Sequence, residues 1–170
     1  MRKLLIVTLG FALLAVGVAT AGPPEKNAAF ERFVGLAGDW VAAEDGEMTK
    51  KGDLVARYHL TGSATAVVED IFPGTPHAMT TVYFLDGSEL VLTHYCMTGN
   101  QPRMRAKATA SPVVAFTFDG GTNINPKKDR HMHNATFEFV GADELKSTWS
   151  EYADGKQAMT VTMHLVRKSS

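Results

Sequence analysis

The chain has a single cysteine, Cys96, in 170 residues. One thiol closes no internal disulfide, so the fold must rest on packing, and the thiol itself is buried, liganded or reactive. There is no excess of positive charge either. Seventeen Lys and Arg face 18 Asp and Glu, with no basic stripe, which removes nucleic acid as an expected partner. Long apolar runs are missing except at the start, where residues 4–18 are apolar. That run is shorter than the roughly 20 residues that cross a bilayer. After Leu36 no apolar pattern of helix length appears, and there is no linker, internal repeat or low-complexity tract.

What is present at the start reads as an export signal. Arg2 and Lys3 precede the apolar run, and Ala19-Thr20-Ala21 supplies the small residues of a cleavage site. The expectation is a signal peptide over 1–21 and one domain over 22–170. The mature chain would carry no membrane span and reside in a bacterial periplasm or outside the cell. No cysteine follows the apolar run, which argues against a lipid anchor.

Residues 24–36 are briefly helical, with Ala28, Phe30, Phe33, Val34 and Leu36 at helical spacing. The remainder alternates short apolar-polar segments with Gly, Pro, Asn and Asp turns. Ten strands are expected, over 39–43, 53–60, 64–71, 78–85, 89–97, 102–108, 113–118, 131–140, 144–152 and 158–167. Short connections make neighbours antiparallel, and closure removes exposed edges. The fold class is therefore all-β: an antiparallel up-and-down barrel of about ten strands with a short N-terminal helix. Residues 119–130 form one long connection, either a lid or a tolerated insertion.

Strand parity gathers the unusual polar residues at one rim. The end of an odd-numbered strand and the start of an even-numbered one share a barrel end. Glu69 ends the third strand; His94 and Cys96 end the fifth; Arg103 and Arg105 begin the sixth. His131 and His133 begin the eighth, and Trp149 and Glu151 close the ninth. Period-two alternation places His94 and Cys96 with Leu90 and Leu92, and His131 and His133 with Ala135, Phe137 and Phe139, on inward faces. These nine residues are the candidate ligand-binding set.

The segment Phe33-Val34-Gly35-Leu36-Ala37-Gly38-Asp39-Trp40 resembles the calycin start, in which a short helix leads to a Gly-x-Trp whose indole plugs the closed end. The strings from Leu92 to Met104, His131 to His133 and Trp149 to Lys156 look like an exported bacterial lipocalin-like family of unknown function. That family is distantly similar to nitrobindin, a haem-binding barrel. The resemblance implies a structural Trp40 and a haem ligand in the last strand, where His164 stands. The later glycines of the nitrobindin run are absent here, and His164 alternates with Thr160 and Thr162.

The site chemistry leaves several readings open. His94, Cys96, His131 and His133 have the donors of a zinc or copper site, but no specific spacing motif, and a hydrogen-bonded polar pocket uses the same groups. Glu151 could add a ligand or act as a base. Cys96 beside His94 or His131 could serve a hydrolase, or be an inert buried thiol. Arg103 and Arg105 either turn in, paired with Glu69, Glu151 or a ligand carboxylate, or are solvated charges; the reading favours at least one turned in. Trp149 lines the pocket or fills the core, and the methionines fill the barrel or cover the helix. The leading function is an exported barrel that binds a small, partly apolar molecule. A metal-dependent or Cys/His enzyme at the same rim and haem binding are the alternatives, so the cofactor is a metal ion, haem or neither.

Overall fold

A computed structural model describes residues 27–106 and 112–169. The expected signal peptide over 1–21 and the end of the expected sixth strand lie outside these residues. Helix α1 (Ala28–Val34) precedes ten strands: β1 (Gly38–Ala42), β2 (Leu54–Thr61), β3 (Ala66–Ile71), β4 (Met79–Asp86), β5 (Glu89–Tyr95), β6 (Gln101–Ala106), β7 (Val113–Thr122), β8 (His131–Gly141), β9 (Glu144–Ala153) and β10 (Lys156–Arg167). Each strand pairs antiparallel with its sequence neighbours, and β1 pairs with β10, so the sheet closes into a barrel with no free edge. A closed antiparallel barrel with a leading helix is consistent with the calycin architecture. Among the described residues no helix is long and apolar enough to cross a membrane.

The helix seals one end. Asn27 caps it, its Oδ1 accepting from the amides of Ala29 and Phe30 at 2.9 and 3.0 Å. Its amide also donates to Ser88 O at 2.8 Å, which ties the cap to the β4–β5 turn. Phe33, fully buried, stacks on Tyr83 with centroids 4.3 Å apart and meets Phe137 and Phe139 edge-on at 5.1 and 5.3 Å. Trp40 is buried beside this plug; its indole donates to Leu36 O at 2.7 Å, and the Arg167 guanidinium lies 4.6 Å from the ring. Arg167 also donates to the carbonyls of Gly35, Ala37 and Ala142. These contacts lock the helix–strand junction to the last strand and leave the other barrel end as the only one without a helical plug among the described residues.

Two departures from the sequence expectation matter. β7 runs to Thr122 rather than Phe118, because Gln101 and Pro102 pair with Thr122 and Gly121. Gly121 is required there: a Cβ on it would stand 2.5 Å from Gln101 O. The first part of the supposed long loop is therefore strand. The rest is tied into a turn, with Asn125 N donating to Asp129 Oδ2 at 2.6 Å and Asp129 N to Asn125 O at 2.8 Å. The second departure is a bulge in β8 between Met132 and Asn134, which alters the candidate site.

Candidate functional site

At the open end lies a cavity of about 280 Å³. Its wall comes from the ends of β3, β5 and β9 and the starts of β4, β8 and β10. These are Ile71, Met79, His94, Met132, Trp149, Glu151, Met159, Val161 and Met163, with Met48, Phe72, Cys96, Met97, Thr98 and Arg130 from the flanking loops. The rim expected from strand parity is the one that opens. Six of the eight methionines line this cavity. The expectation that they fill the barrel holds for Met104, which is fully buried. Methionine is flexible and polarizable, so such a wall adapts to the shape of an occupant.

Below the cavity a row of polar side chains crosses four strands. Tyr58 pairs with Glu69, Glu69 with Thr81 and Thr81 with His94, in register across β2, β3, β4 and β5. All four are buried. The Tyr58 hydroxyl donates to Glu69 Oε1 and the Tyr83 hydroxyl to Oε2, both at 2.6 Å. Thr81 Oγ1 and His94 Nδ1 share a hydrogen bond of 2.9 Å. Burial pushes the Glu69 carboxyl above its usual range, while the hydroxyls of Tyr58, Tyr83 and Thr81 pull the other way. Burial and the facing carboxyl hold both phenols well above their ordinary pKa, so they stay protonated donors. Glu69 is thus a buried structural acceptor and not a wall residue of the cavity.

His94 turns Nδ1 to this row. Its other nitrogen, Nε2, is buried without a protein partner, and so is Trp149 Nε1. The two rings are neighbours, with centroids 5.0 Å apart and a tilt of 42°. Each unsatisfied buried group costs roughly 1–3 kcal/mol, so these two nitrogens are the strongest local invitation to a ligand. Burial lowers the His94 pKa to about 4, which keeps the imidazole neutral near neutral pH.

The rim above is held by polar contacts. Arg130, exposed to solvent, makes an ion pair with Glu151, which is 6% exposed. The Arg130 carbonyl accepts from Asn100 Nδ2 at 2.7 Å, and Cys96 N donates to Asn100 O at 3.1 Å, so the β5–β6 turn is stapled to the start of β8. Cys96 is half-buried and lines the cavity. No hydrogen bond joins its thiol to a base among the described residues, and His94 Nδ1 is committed to Thr81.

Three sets of expected residues lie elsewhere. Arg103 and Arg105 do not turn inward. Pro102, Met104 and Ala106 take the inner face of β6, so the two arginines face out. Arg105 binds Glu89 at 2.6 Å, Asp119 at 3.0 Å and Asp86 at 3.1 Å, and Arg103 binds Asp86 at 2.9 Å. His131 and His133 do not line the cavity. The bulge sets Met132 opposite Glu151 and Ala135 opposite Trp149, so Met132 takes the cavity position that simple alternation gives to the histidines. The two imidazoles instead share a 3.0 Å hydrogen bond, and His133 stacks between Tyr152 and Phe118. Consequently His94, Cys96, His131 and His133 do not converge, and no three His, Cys, Asp or Glu among the described residues gather as a metal site.

His164 faces away from the cavity. Met163 lines the cavity and Leu165 the core, so His164 falls on the outer surface, where Nε2 meets Glu144 at 2.8 Å and Nδ1 lies 3.5 Å from Glu44. Both His164 nitrogens, the position the nitrobindin resemblance gives a haem ligand, thus face surface carboxylates and not the cavity. Of the candidate set, His94, Cys96, Trp149 and Glu151 meet at the cavity. Thr81, Arg130 and the methionines were not singled out from sequence. Parity could have flagged Met79, Met132 and Met159, which stand at strand starts on the same rim.

No protein-family model matches the chain, and no curated protein matches it.

Proposed function

We propose that this is an exported barrel whose open-end cavity binds a small, mostly apolar molecule. The observation that carries the reading is the cavity itself: about 280 Å³, walled by methionine, isoleucine, valine and phenylalanine, with two unpartnered nitrogens beside it. Ligand sites of this kind combine an apolar lining with a few placed polar groups. For scale, an engineered cavity of about 150 Å³ accepts benzene, so roughly twice that volume suits a molecule of ten to fifteen heavy atoms. Export is supported by the Arg-Lys start, the apolar run and the Ala-Thr-Ala site.

Tryptophan fluorescence tests the reading. Trp149 lines the cavity, whereas Trp40 is buried beside the helical plug. Titration with small alkylbenzenes and alkylphenols is expected to give a saturable change. Val161→Phe, which fills the cavity, is expected to weaken binding by about tenfold or more, the loss of roughly 1.4 kcal/mol. A variant that binds as tightly as the original, or no saturable change with any compound, would contradict the cavity as a binding site.

A further inference from the structure

Resting on the binding reading above, we infer that the cavity selects an uncharged apolar molecule bearing a hydroxyl group, which donates to His94 Nε2 and accepts from Trp149 Nε1. The direction of the buried hydrogen bonds carries this. Tyr58 and Tyr83 each donate to one oxygen of Glu69. Thr81 stands directly opposite Glu69 in the β3–β4 ladder, and its hydroxyl, like the two phenols, favours the ionised carboxyl. With its hydroxyl hydrogen turned to that carboxyl, the Thr81 oxygen accepts from His94 Nδ1–H across the 2.9 Å contact. A neutral imidazole protonated at Nδ1 has a bare lone pair at Nε2. Trp149 Nε1 can only donate. His94 and Trp149, both residues of the cavity wall, therefore hold one acceptor and one donor on neighbouring rings, 5.0 Å apart between centroids. A hydroxyl is the smallest group that answers both, since it donates and accepts through one oxygen.

Charge excludes the acids that apolar cavities often take. Among the described residues the one permanent cation on the wall is Arg130, and it is committed to Glu151. His94 is neutral, for burial disfavours its charged form. A ligand carboxylate would enter without a counter-charge, and an ammonium would find Glu151 already paired. Neither nitrogen is open to water as the chain stands. Methionines make up much of the same wall, and their flexible side chains are what an occupant displaces.

The test compares four probes of one shape by calorimetric titration: para-butylphenol, para-butylanisole, butylbenzene and para-butylbenzoate. The phenol is expected to bind at least about tenfold more tightly than the anisole or the hydrocarbon, one hydrogen bond's difference, and the benzoate weakest of all. Thr81→Val, which leaves His94 Nδ1 without its partner, is expected to erase the preference for the phenol, while Thr81→Ser keeps it. Equal binding of phenol, anisole and hydrocarbon overturns the hydroxyl selection and leaves the binding reading intact. Tightest binding of the benzoate overturns it as well and transfers the anchor to Arg130. A phenol preference that survives Thr81→Val in a folded protein overturns the role of the buried row. Failure of all four probes removes the binding reading and this selection together.

Discussion

His94 is neutral because it is buried, and that has a consequence for stability. Its pKa falls to about 4 in the folded chain from the usual 6.5. Between those values the unfolded chain binds a proton that the folded chain refuses. The fold is therefore destabilised as pH drops from 6.5 towards 4, by about 1.4 kcal/mol per unit and about 3 kcal/mol in all. Glu69, whose pKa is raised by burial, acts in the opposite sense: its contribution is present at low pH and is lost as pH rises. The two are separated by comparing the original chain with His94→Gln. The acid-side slope of stability in urea melts is expected to flatten in the variant, and identical slopes would show that His94 does not carry it. Singling out His94 needed only its place at the end of an apolar strand. Thr81 could not be found that way. Its importance comes from standing in register between Glu69 and His94, and register across strands is not written in the local pattern of one strand.

The strands were legible because their turns carry Gly, Asn and Asp and because most of them alternate apolar with polar residues. The helix was legible too, and its role as a plug follows from Phe33. Phe33→Ala is expected to cost roughly 3–5 kcal/mol in thermal or urea unfolding, since the ring contacts four aromatic partners. Asn27→Ala should cost only about 1 kcal/mol, the ordinary worth of an N-cap. If the two variants melted alike, the plug would be held by its cap and not by its packing. The misplacement of His131 and His133 came from a single element. Alternation predicts facing only while the ladder is unbroken, and the bulge at His133 inserts one residue. A one-residue insertion changes the face of what lies beyond it. The outward arginines have a different cause. Parity placed Arg103 and Arg105 on one face of β6 but not which face, and the buried Met104 settles it.

At the scale of the whole molecule, the barrel is asymmetric along its axis. One end is sealed by α1, Trp40 and Arg167, and the other holds the methionine-lined cavity. The closed topology and the position of the open rim were accessible from counting strands. The character of the cavity was not, because methionine reads in sequence as ordinary core. The most direct measurement is NMR of the chain with labelled methionine methyl groups, titrated with para-butylphenol. Met48, Met79, Met97, Met132, Met159 and Met163 line the cavity, whereas Met104 is buried in the core outside its lining. Saturable shifts concentrated in the six cavity methyls, with Met104 moving least, are the expected result. Shifts centred on Met104 or spread evenly over all seven, or no shift at saturating probe, would contradict the cavity as the binding site.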